Sequence, residues 1–300
     1  MTNRVFSIAA ILCAATALVI SAPARAQDKI IEGFNSPESV ARDGKYLYVS
    51  NLGVKLEPSA KDGDGYISKL DIQGNVVKKD FITGLDGPKG LAVLGNVLYV
   101  SDIDHLLGFD LKSGEKVFDL DFSAEKTAYL NDLAVEDNHH LFISATDINK
   151  IFQVDVKAKT YVDIGVAVSG PNGLWYEAKG KQLYVVGFAS QDGKASGEVG
   201  VVDFLRQPAE YKKIIDRPGY YDGIQPMADG VFLVSDWVAF EPERGVLLRV
   251  NVKSRTFDVI PGAYGGPADF LYVHDKAGLY PRLLYLPRMI DGKLEIRTLQ

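Results

Sequence analysis

Four oxygen-bearing side chains stand at matching places in the sequence: Glu38, Asn131, Asn172 and Asp222. Each is the second residue of a short segment that runs into an apolar stretch, as in Pro37-Glu38-Ser39-Val40 and Pro171-Asn172-Gly173-Leu174. Two carboxylates and two carboxamides, without thiolate or imidazole, are the donor set of a hard divalent cation. Placing the two carboxylates together without a cation would raise a carboxyl pKa through like-charge repulsion. Asn-Gly and Asp-Gly are also ordinary turn formers, and Glu38 alone would read as a solvated loop acid. The chemistry therefore depends on whether the fold gathers these four positions.

The elements that must do so are short strands. Apolar runs recur at "KYLYVSNL" (45–52), "NVLYVSDI" (96–103), "HLFISATD" (140–147), "QLYVVGFA" (182–189), "GVFLVSDW" (230–237) and "RLLYLPRM" (282–289). They are rich in Tyr, Val, Leu and Phe, as strands are. A second strand follows each run, a third follows five of them, and Gly, Asp and Asn supply the turns. Helical periodicity is almost absent. The segments that precede the runs align at second positions Glu38, Lys89, Asn131, Asn172, Asp222 and Ala268, spaced by 51, 42, 41, 50 and 46 residues. Four strands per repeat, six times over, predict an all-β, six-bladed β-propeller with four-stranded blades. The last repeat lacks a fourth strand, and "KIIEGF" (29–34) precedes the first. The N-terminal strand is therefore expected to pair onto the last blade and close the ring, which removes the exposed sheet edges.

In a propeller the first strand of every blade lines the central channel, so the second positions converge at one mouth. Lys89 adds a positive charge to that column, which repels a cation unless its long stem carries the ammonium aside. Asp132 and Asp269 occupy the next column and are expected to bond backbone amides.

The column resembles that of the regucalcin, gluconolactonase and luciferin-regenerating enzyme family (the senescence marker protein family), and more distantly the paraoxonases. The matching residues are Glu38, Asn131-Asp132, Asn172-Gly173 and Asp222-Gly223, in that order along the whole chain after the leader. The resemblance implies a six-bladed propeller with one divalent cation on its axis, calcium first and magnesium, manganese or zinc as alternatives. It implies Glu38, Asn172 and Asp222 as metal ligands, Asn131 as a fourth ligand or substrate contact, and Asp222 also as general base for hydrolysis of a lactone or related ester. Sugar-lactone enzymes of the family look to have Arg two residues before the blade-three Asn, where this chain has Tyr129. Tyr129 is therefore expected at the substrate, and polyol recognition is not. The alternative class is a non-catalytic exported propeller that binds a ligand or protein partner and uses its cation to brace the channel.

Residues 1–26 read as a secretory signal peptide: Arg4, an apolar run from Val5 to Ile20, and a small-residue end at Ala24-Arg25-Ala26. A retained anchor is the alternative. Cleavage leaves residues 27–300 as one propeller domain, periplasmic or secreted, with no membrane contact. It removes Cys13, the only cysteine, and with it any disulfide or Cys chemistry. It also removes two of 33 basic residues and none of 39 acidic ones, so the net charge moves from −6 to −8. No basic stripe is left to neutralise phosphates, which excludes nucleic acid as a partner and leaves a small molecule. His105, His139, His140 and His274 lack metal-ligand spacing and are expected at the surface. No Gly-x-Ser-x-Gly elbow is present. "KDGDGYIS" (61–68) reads as a turn, and Trp175 and Trp237 as packing between blades.

Overall fold

The computed structural model describes residues 28–189, 193–273 and 282–299. The expected signal segment with Cys13, and His274, lie outside the described residues. Twenty-four strands among them form six four-stranded antiparallel sheets, each built from strands consecutive in sequence except the last. The inner strands are Pro37–Arg42, Pro88–Leu94, Leu130–Val135, Pro171–Glu177, Tyr221–Ala228 and Leu271–Val273. Each packs beside the next, and the first lies against the sixth, so the sheets form a closed six-bladed β-propeller. There is no α-helix among the described residues, only two single turns of 3-10 helix. No helix there is long and apolar enough to cross a membrane.

Burial grades outward within a blade. In blade one the inner strand is almost wholly buried, whereas Val76–Leu85 on the rim is mostly exposed. Period-two alternation then divides each apolar run between two neighbours. In Tyr46–Asn51, Leu47 and Val49 pack towards blade six while Tyr48 packs towards blade two. The same division repeats round the ring and gives one apolar layer per blade interface. Strands buried on both faces explain why the runs are nearly continuous in Tyr, Val and Leu rather than alternating with polar residues.

The ring closes as expected. Lys29–Glu32 pairs antiparallel with Lys293–Thr298, with Ile31 opposite Leu294. Ile31 also packs into the layer between blades six and one, and the Phe34 N–H reaches the Gly292 carbonyl. The outer strand of the final blade is thus the first strand of the described chain.

Candidate metal centre

One local distortion positions the centre. In each of the first five blades the inner strand skips two residues of its ladder at the same place, between Pro37 and Val40, Pro88 and Leu91, Leu130 and Leu133, Pro171 and Leu174, and Tyr221 and Ile224. Such a bulge frees the two skipped residues from strand pairing and re-aims their side chains. The second position of each segment turns into the channel and the third turns against a neighbouring blade. Gly173 is needed for that approach: a Cβ there would lie 2.1 Å from the Asp222 carbonyl oxygen.

Serine stabilises the bulge from behind. The hydroxyl of Ser144 accepts the Asp132 N–H at 2.9 Å and donates to the Asn172 carbonyl at 2.8 Å. Ser235 does the same for Gly223 and Ala268. Ser50 accepts the Ser39 N–H, and Ser101 donates to the Asn131 carbonyl. Ser101, Ser144 and Ser235 thereby reach the inner strand or segment of the next blade beneath the site. The sequence signal of the four serines is the fifth residue of the runs YLYVS, VLYVS, HLFIS and VFLVS, which strand periodicity alone does not single out.

Glu38, Asn131, Asn172 and Asp222 are all buried and line one cavity of about 170 Å3, together with Lys89 and Tyr129. Ala268, the sixth member of the column, carries no donor. Each of the four keeps one buried oxygen without a hydrogen-bond partner: Glu38 Oε2, Asn131 Oδ1, Asn172 Oδ1 and Asp222 Oδ1. The other polar atoms of Asn131, Asn172 and Asp222 are engaged. Asn131 Nδ2 donates to Thr146 Oγ1 at 3.3 Å, the Asn172 amide donates to Asp222, and the Trp237 indole N–H donates to Asp222 Oδ2 at 2.8 Å. Buried polar oxygens without partners are costly, and four in one cavity fit an oxygen-loving cation. Among the described residues no three or more His, Cys, Asp or Glu side chains cluster as a metal site. The candidate donor set is instead two carboxylates and two carboxamides.

Burial and neighbouring carboxylates set the electrostatics of the cavity. Burial, then the charges of Asp222 and Asp269, hold the Glu38 carboxyl well above its ordinary pKa. Burial and Asp269 push Asp222 up to about 8, against the opposing bonds from Trp237 and Asn172. Lys89 is pushed down to about 8 by burial, with Glu38 opposing. Its stem carries the ammonium to the Gly87 carbonyl at 3.0 Å, 4.7 Å from the centre of the Tyr129 ring. Tyr129 is partly buried, and burial raises its phenol pKa.

Asp132 and Asp269 lie behind the column. Asp132 accepts the amides of Leu133 and Leu174, which links blades three and four, and Asp269 accepts the Ser39 hydroxyl across the closure. His105 and His140 are partly exposed and bond Asp119 and Asp137, His139 is exposed, and none lines the cavity. The 61–68 segment is a turn only in part: Lys61 pairs with Asp104 and Asp64 accepts the Val54 N–H, but from Gly65 on the residues belong to the strand Gly65–Asp71. Trp175 packs between blades four and five. Trp237 does not fit the expectation of packing alone, because its indole holds Asp222 in the cavity wall.

The mouth is apolar and asymmetric. Leu56 and Pro58 of blade one, Phe188 of blade four, Trp237 and Phe240 of blade five and Met289 of blade six form its wall. Phe188, Tyr220, Trp237 and Phe240 make one aromatic cluster. The wall comes from loops after the second strands, and the long spacings after Glu38 and Asn172 mark the two longest of these.

No family model matches the chain, and no curated protein matches it. Solved structures do. A chain of a nidogen/laminin complex is 12% identical with a TM-score of 0.55, over 88% of this chain and 93% of that one. Kuenenia stuttgartiensis hydrazine synthase is 14% identical with a TM-score of 0.59, over 91% of this chain and 77% of that one. At these identities the likeness concerns the fold, and propellers host many unrelated functions.

Proposed function

We propose that the chain is an exported, divalent-metal-dependent hydrolase of a lactone or related ester, with Glu38, Asn131, Asn172 and Asp222 holding the cation. The observation that carries this reading is the convergence of four buried, unpartnered oxygens in one cavity. A cation bound there supplies Lewis-acid polarisation of an ester carbonyl. Asp222 receives the proton of the attacking water: one of its oxygens is held by Trp237 and the other faces the cavity. Tyr129 and Asn131 border the space left for substrate, and the aromatic mouth limits access of bulk water. The resemblance of the column to the regucalcin and gluconolactonase family supports the same assignment.

A non-catalytic exported propeller with a bracing cation is the second reading. Phe240, 57% exposed at the mouth, favours it, because such a side chain is also suited to a ligand or protein partner.

Thermal melts of the protein in EDTA and then in Ca2+, Mg2+, Mn2+ or Zn2+ test the centre. A cation at a hundred times its Kd adds about 2.7 kcal/mol and raises Tm by roughly 5 °C. Asp222→Ala abolishes the rise, and no rise with any of the four cations in the native chain rejects the centre. A panel of lactones and aryl esters then separates the classes. Activity that disappears in Asp222→Asn identifies the hydrolase, and inactivity across the panel favours the binder.

A further inference from the structure

Lys89 is the one polar member of the inner column that neither a hydrolytic cation centre nor a braced channel requires. It is 2% exposed, yet it lines the cavity. An ammonium has three N–H donors, and among the described residues Lys89 makes one hydrogen bond, to Gly87. Two donors are left in a buried, ligand-sized space. The charge balance points the same way. The carboxylates of Glu38 and Asp222 are taken by the cation, which leaves Lys89 as the one cationic side chain among the described residues that line the cavity. Asp132 and Asp269 are turned away, on the amides of Leu133 and Leu174 and the hydroxyl of Ser39. Above the floor the wall is apolar, with Phe188, Trp237, Phe240 and Met289.

We propose that the channel takes an apolar molecule bearing one carboxylate, with Lys89 Nζ donating to the carboxylate and the aromatic mouth covering the apolar body. A single ammonium with two free donors matches a monoanion, whereas a phosphate dianion needs more donors than this floor offers. The proposal deepens the reading above and rests on its placing of the ligand in this channel. For a hydrolase it names the substrate class: an apolar lactone or ester that carries a free carboxylate apart from the bond cleaved. Lys89 is then a binding and specificity residue.

Calorimetric titration of the calcium-loaded protein with phenylacetate and hexanoate, against phenylacetamide and hexanamide, tests it. The acids are expected to bind at least about tenfold more tightly than the amides, the margin of one charge-assisted hydrogen bond. Lys89→Met, which keeps the stem and removes the charge, is expected to abolish that preference while the cation still raises Tm. Lys89→Gln gives a second variant should the first fail to fold, and the comparison of acid with amide in the native chain needs no variant. Equal binding of acid and amide, no binding of either acid, or a preference that survives in a folded Lys89 variant overturns the proposal. A melt indifferent to cations, with the Lys89-dependent preference intact, rejects the metal centre and leaves this assignment standing.

Discussion

At the residue scale the centre is a set of carboxyl groups held away from their ordinary protonation range by burial. Asp222 titrates near 8 when folded and near 3.9 when unfolded. Over that window the folded protein binds more protons than the unfolded one, so the contribution of Asp222 to stability is complete below about 4 and is lost as pH rises through about 8. Glu38 is shifted in the same direction. Lys89, lowered to about 8, has the opposite slope, but only from about 8 to its unfolded value near 10.4. Protein in EDTA is therefore expected to melt lower at pH 8 than at pH 5, and the gain on adding cation to be larger at pH 8. Melts at the two pH values check this, and an equal gain at both contradicts it. Trp237 sets the orientation of Asp222. Trp237→Phe keeps an aromatic ring but removes the donor to Oδ2, and is expected to weaken cation affinity about 10–100-fold, as loss of a bond to a ligating carboxylate does, read by titration of the melt with cation. The four oxygens and Lys89 were legible in the sequence because equal positions in six repeats must converge. Trp237 was not, because its partner, Asp222, lies 15 residues away on the neighbouring strand and nothing in its local pattern separates a packed indole from a donating one.

At the element scale the deciding feature is the bulge at the head of each inner strand. The repeats could be aligned from sequence, but the bulge could not be read from it: its residues are Glu-Ser, Lys-Gly, Asn-Asp, Asn-Gly and Asp-Gly, with no common side chain. The serine behind it is the constant part. Ser144 is fully buried, accepts from one inner strand and donates to the next. Ser144→Ala leaves a buried N–H and a buried carbonyl without partners, and is expected to cost about 1–3 kcal/mol, measured by denaturant unfolding. It is also expected to lower cation affinity, because Asn131 and Asn172 stand on the strands it joins. Unchanged affinity would show that the inner strands hold their places without it. Blade four has Val186 and blade six Pro287 at the equivalent position, so the device is absent at two of six places. Blade four uses instead the close approach permitted by Gly173.

At the scale of the molecule, blade number and closure were legible because a strand buried on both faces must be apolar throughout, and six such runs were spaced evenly enough to count. The shape of the mouth was less so. Extra residues after Glu38 and Asn172 marked long loops, but which side chains they brought over the channel depended on contacts between blades one, four, five and six. Closure carries its own test. Removing residues 28–34 strips the outer strand from blade six, takes Ile31 and Phe34 from the apolar layer and exposes the edge of Lys293–Thr298. The truncated chain is expected to lose its single cooperative melt, followed by circular dichroism, whereas an unaltered transition would mean that five complete blades suffice.

That same seam orders events during synthesis. Residues 29–32 emerge from the ribosome before any blade of the propeller exists, yet their partners, residues 293–298, follow the inner strands of all six blades. A sheet that joins chain segments so distant is slow to form, since a long loop must close before its contacts contribute. The nascent chain therefore cannot seal its ring until residues 293–298 have been made. For a chain exported in extended form, as proposed above, such a delay keeps the latch open until its last blade has crossed.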